Sequence, residues 1–76
     1  MSATTLTQAP VGQFCRIYDI QSTPEICHRL RKLGFYENAI IRCTINHDSH
    51  VICEVCNSRI GLNEHIAKDI LVVPFG

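Results

Sequence analysis

One stretch of the chain, and only one of any length, carries a helical period. STPEICHRLRKLG, from Ser22 to Gly34, has Ser22 and Glu25 at capping-box spacing and Pro24 in the first turn. Ile26, Leu30 and Leu33 recur at helical intervals, and Gly34 suits the left-handed position that ends a helix. Most of the remainder alternates with a period of two, the mark of half-buried strands. A 76-residue chain has room for one small core. The combination predicts a mainly β protein with one clear helix, folded as a small, partly open β-barrel of about five strands.

The strands can be placed individually. Phe14 to Ile20 favours β structure, with Cys15 and Ile17 on one face and a bulge expected near its end. Ile41, Cys43 and Ile45 form one face of the next strand, and Val51, Cys53 and Val55 one face of the strand after it. Because facing residues share a side of the sheet, two odd-numbered inward sets require a loop with an odd number of residues. A three-residue loop, His47 to Ser49, sets Ile45 opposite Val51, Cys43 opposite Cys53 and Ile41 opposite Val55. A turn at Asn57-Ser58 leads to a strand from Arg59 to Leu62. Asn63 then caps a short helical turn, and Leu71 to Val73 close the sheet before Pro74. Residues 1–10 read as a flexible tail that docks through Leu6, and residues 11–76 as a single domain.

Composition excludes several functions. Seven basic residues offset seven acidic ones, so no overall field gathers nucleic acid or anionic lipid. The amino terminus lacks a basic lead and an apolar core, and Ile70 to Val73 is far too short to span a bilayer. A cytoplasmic protein without membrane insertion is expected. The odd count of five cysteines precludes a fully paired disulfide framework, so free, largely buried thiols are expected. There is no Gly-rich GK(S/T) loop, no GxSxG and no acid pair in a polar setting, so no enzyme is predicted.

The segment HDSHVICEVCNS places His47, His50, Cys53 and Cys56 at a strict spacing of three. A tetrahedral metal site needs its ligands about 2.0–2.3 Å from one ion, which a CxxC pair achieves only when folded into a tight turn. On a strand, Cys53 and Cys56 lie on opposite faces, about 10 Å apart at ~3.3 Å per residue. A redox dithiol fails too, because such pairs usually start a helix. His47, His50 and Cys56 remain as weak candidates for a metal site, with Glu64 and His65 behind them. A bound transition metal is not required. The helix offers a different surface: Arg29, Arg31 and Lys32 form a cationic side, followed by Tyr36 and Glu37, as candidates for contact with a protein partner. With no Trp and few aromatic residues, a polyproline groove is not expected.

CHRLRKLGFYENAIIRC, followed by a strand and SRIGLNEHIAKDILV, resembles the FeoA family of small accessory proteins in bacterial ferrous iron uptake. The resemblance runs from about Leu6 to Val73 and rests on RLRKLGF at Arg29–Phe35, SRIGL at Ser58–Leu62 and AKDI at Ala67–Ile70. It implies an SH3-like barrel and a non-catalytic role bound to the cytosolic GTPase-bearing part of a FeoB-type membrane transporter. Weak self-association is left open. Where the family usually has glycine, this chain has Asn38 and Asn57. Asparagine tolerates positive φ, so left-handed conformations are expected at both. The dense cysteines are no part of the family pattern. A related domain is attached to iron-dependent repressors, but DNA regulation would need a helix-turn-helix absent from this sequence. The competing expectation is a small metal carrier or sensor that uses the His and Cys side chains directly.

Overall fold

In the computed structural model, which describes residues 3–47 and 50–75, six strands make one antiparallel sheet. They are β1 (Thr4–Thr5), β2 (Phe14–Ile20), β3 (Ile40–His47), β4 (His50–Val55), β5 (Ser58–Asn63) and β6 (Ile70–Pro74). Their order across the sheet is β1-β6-β2-β3-β4-β5, open between the end strands. Helix α1 (Pro24–Leu33) joins β2 to β3, and the single turn α2 (Glu64–Ala67) joins β5 to β6. Leu6, Ile17, Phe35, Ile41, Val51, Cys53, Ile70 and Val72 lie at the centre of one apolar core.

Helix α1 starts one residue later than capping-box spacing suggests. Thr23, not Ser22, is its N-cap, its hydroxyl accepting from the Ile26 N–H at 3.3 Å. The cause is Pro24, which must occupy the first helical position and drives the residue before it into extended backbone; Thr23 has φ −67° and ψ 155°. At the other end Gly34 has φ 104°, its N–H donating to Arg31 O while the Phe35 N–H donates to Leu30 O. This pair of bonds is a Schellman closure, and it carries Phe35 into the core beside Leu30. Leu33, expected to face inward, is instead 44% exposed because Phe35 takes the apolar position past the helix end.

The β3–β4 hairpin departs from its expected register twice, and the departures cancel. His47 pairs with His50, so the connection has two residues, not three; residues 48–49 lie outside the described residues. Ile45 therefore faces Ile52 rather than Val51, and Asn46 faces Val51. A bulge between Cys43 and Ile45 then restores the expected pairing of Cys43 with Cys53. The same bulge turns Asn46 toward the N-terminal segment, where its Nδ2 donates to Thr7 O at 2.7 Å. The Cys43 carbonyl accepts from the Gly12 N–H at 2.8 Å, away from β4. Cys43 and Cys53 are thus a non-hydrogen-bonded pair, the closer type.

Elsewhere β2 has its bulge between Ile17 and Asp19, near its end as expected. Asn38 and Asn57 have φ of 73° and 64°. The β4–β5 turn is Cys56-Asn57, one residue earlier than expected, and Cys56 also has positive φ, at 51°. Two positive-φ residues between paired strands define the mirror-image turn that suits the twist of a hairpin. Asn63 caps α2, its Oδ1 accepting from the Ile66 N–H at 3.0 Å. The N-terminal segment docks through Leu6. Thr4 and Thr5 pair with Val72 and Leu71, a one-turn 3-10 helix follows at Leu6–Gln8, and Leu6 is 0% exposed. The sixth strand arises here, too short to show a period.

Candidate protein-interaction surface

Helix α1 packs with Leu30 and Ile26 toward the core, which leaves His28, Arg29, Arg31 and Lys32 in solvent. Arg29 and Lys32 are one turn apart and share a face, whereas Arg31, two residues from Arg29, points elsewhere. The expected cationic side is therefore a pair plus one outlier. Arg31 and Lys32 sit in the last turn, where the negative end of the helix dipole favours cations. None of the three forms an ion pair among the described residues, where Arg42–Glu54 is the only one. Tyr36 is 46% exposed, Glu37 is exposed, and both precede the left-handed turn at Asn38.

The period-of-three set is broken up by the fold. His47 and His50 face each other at the loop end of the β3–β4 hairpin and, with Thr7, Asn46 and Glu64, line a cavity of about 240 Å³. Cys53 is buried beneath the sheet, and Cys56 is exposed at the β4–β5 turn and lines a different groove. Among the described residues, no three or more His, Cys, Asp or Glu side chains are arranged to hold a metal ion.

The buried thiols are inert by environment. Burial raises the pKa of Cys15 and Cys43, and Cys53 is pushed up to about 12 by burial and, secondarily, by Cys43. At Cys43 the neighbouring Cys53 thiol and the Ile45 carbonyl oppose part of the rise. All three stay protonated at neutral pH and behave as small apolar side chains.

A groove of about 500 Å³ crosses the outer face of the sheet, lined by Phe14, Ile40, Arg42, Glu54 and Arg59 and ended by the Cys56 turn. Phe14 pairs with Arg42, Arg42 with Glu54 and Glu54 with Arg59, so one row of side chains runs over four strands. The Arg42 guanidinium lies 5.2 Å from the Phe14 ring centroid and donates through Nε and Nη2 to Glu54 Oε1. Sequence alternation marks these residues as outward-facing, but their assembly into one row depends on three strand registers.

These features define a class: a small, partly open β-barrel with one clear helix, carrying exposed cations on that helix and a mixed apolar and charged groove on the outer face of its sheet. A family model described as FeoA domain matches residues 4–74, and the chain belongs to the FeoA family, which is associated with ferrous iron transport. The crystal structure of an iron uptake regulatory protein (FeoA) superposes with a TM-score of 0.89 at 17% identity, over 97% of this chain and 100% of that one. Stenotrophomonas maltophilia FeoA complexed with zinc, described as a prokaryotic SH3 domain protein, superposes with a TM-score of 0.80 at 25% identity, over 93% and 91%. A manganese-dependent transcriptional repressor gives a TM-score of 0.89 at 15% identity, with 99% of this chain matched to 42% of the repressor. The same fold thus occurs within a longer chain. No curated protein matches the sequence. The fold is the expected SH3-like, partly open barrel. No helix among the described residues is long and apolar enough to cross a membrane.

Proposed function

We propose that this chain is a cytoplasmic, non-catalytic accessory protein of ferrous iron uptake that binds the cytosolic part of a FeoB-type, GTPase-linked transporter. The family match over residues 4–74 carries the reading. It is supported by the S. maltophilia relative, which has been put forward as a ferrous iron transport activating factor. The contact includes Arg29, Arg31 and Lys32 of α1, with Tyr36 and Glu37 just beyond: exposed side chains whose charges have no ion-pair partner among the described residues. Such cations speed encounter with an acidic partner and are worth most when desolvated against it.

A second reading, a carrier or sensor for a transition metal, draws on the His47–His50 pair beside Glu64. One experiment separates the two. The chain is used to capture the transporter's isolated cytosolic domain, with the triple variant R29E/R31E/K32E compared with H47A/H50A/C56A. The accessory reading predicts that charge reversal abolishes capture and that the His/Cys variant behaves as wild type; the reverse result favours the metal reading.

A further inference from the structure

The outer-face groove, unlike the helix surface, is built from residues with no expected role, and its charges do not balance. Glu54 lies in register between Arg42 on β3 and Arg59 on β5. Arg42 alone takes up its carboxylate, leaving Arg59 without an ion pair among the described residues. Two arginines against one glutamate leave one net positive charge in the groove of a chain whose overall net charge is zero. Beside the charges, Phe14 is 52% and Ile40 37% exposed, although both belong to regular strands and face outward from a well-filled core. An arginine over an aromatic ring next to an open aliphatic side chain is a common composition for the centre of a protein interface.

The groove also continues the surface already assigned to α1. It ends at the Cys56-Asn57 turn, and the Cys56 thiol packs close to Gly34 at the end of the helix, where a Cβ would lie 3.1 Å from Cys56 Sγ. Ile40 stands two residues beyond Asn38, where the Tyr36–Asn38 loop enters β3. A partner engaging the last turn of α1 therefore has a direct route into the groove.

We propose that this groove seats an extended acidic segment of the transporter's cytosolic part, with a carboxylate on Arg59 and apolar side chains on Phe14 and Ile40. The proposal rests on the accessory reading and names the surface it uses. Charge complementarity selects an acidic occupant, and the two exposed apolar residues select a protein segment over a bare phosphate or nucleic acid backbone.

The test is a ¹⁵N NMR titration of the full chain with the isolated cytosolic domain, paired with calorimetric affinities for wild type, R59E, F14A and R29E/K32E. Both groove residues are exposed, and dispersed spectra of the free variants establish that each remains folded. The proposal expects amide shifts at Phe14, Ile40, Arg42 and Arg59, affinity at least tenfold weaker for R59E and several-fold weaker for F14A. Wild-type affinity in both R59E and F14A, with loss only in R29E/K32E, overturns the groove and leaves the accessory reading standing. No binding by the wild-type chain removes that reading and this proposal with it. Shifts at the same amides on simple concentration of the free chain would show a second copy in the groove and overturn the choice of occupant.

Discussion

Replacing Gly34 with alanine tests the junction on which α1, the β4–β5 turn and the groove end all depend. Gly34 has φ 104°, a conformation that L side chains rarely adopt, and its added Cβ would stand 3.1 Å from both Cys56 Sγ and Val55 Cγ2. The backbone term is about 1–2 kcal/mol for a non-glycine residue in left-handed geometry. Crowding adds about 1–3 kcal/mol, since Val55 belongs to the packed core and cannot retreat freely. A total of about 2–5 kcal/mol is large against the ~5–15 kcal/mol of an ordinary domain. Urea unfolding followed by far-UV circular dichroism measures it, the chain having no Trp to report by fluorescence. In a Cys56→Ala background the sulfur contact is gone while the backbone strain remains, so Gly34→Ala should cost about 1 kcal/mol less there. A cost below about 0.5 kcal/mol in the wild-type background, or the same cost in both, would refute the packing argument.

Three further outcomes are expected. Leu6→Ala should lose about 2–5 kcal/mol in the same assay, because Leu6 is fully buried; a loss near zero would return the N-terminal segment to the status of a tail. Asn46→Ala removes the bond to Thr7 O and should cost about 1 kcal/mol, with faster hydrogen exchange at the amides of residues 4–8. The folded state keeps the Cys53 proton up to about 12, whereas an unfolded thiol loses it near 9.0. Stability from this group is therefore fully present below pH 9 and should fall above it by about 1.4 kcal/mol per pH unit. Urea midpoints at pH 8, 9.5 and 10.5 should show a shallower alkaline slope in Cys53→Ala than in wild type.

Local chemistry was the part of the fold easiest to read in advance. Pro24, Gly34, Asn38, Asn57 and Asn63 each restrict the backbone or offer a cap, and the structure uses all five. What escaped was pairing information. A one-residue bulge leaves no trace in an alternating pattern, so the bulge beside Thr44 and the two-residue hairpin loop were both invisible and compensated each other at Cys43–Cys53. Cys56 has no intrinsic taste for positive φ; the turn imposes it once Val55 pairs with Ser58. The interaction surface divides in the same way. Cations on α1 are visible because they are local to one helix, whereas Phe14, Arg42, Glu54 and Arg59 become a row only when four strands are in register. The period-of-three His/Cys series is the converse case: a strict spacing in sequence suggests one ligand set, but the strand period splits it, with Cys53 in the core and Cys56 exposed at the turn that follows β4.

The central claim is direct association with the transporter's cytosolic domain, and isothermal titration calorimetry of the two purified components measures it most directly. Saturable binding at one chain per domain, weakening as salt is raised because cations on α1 and at Arg59 contribute, is the predicted result. Absence of binding with the domain nucleotide-free, GDP-loaded and loaded with a non-hydrolysable GTP analogue would contradict it.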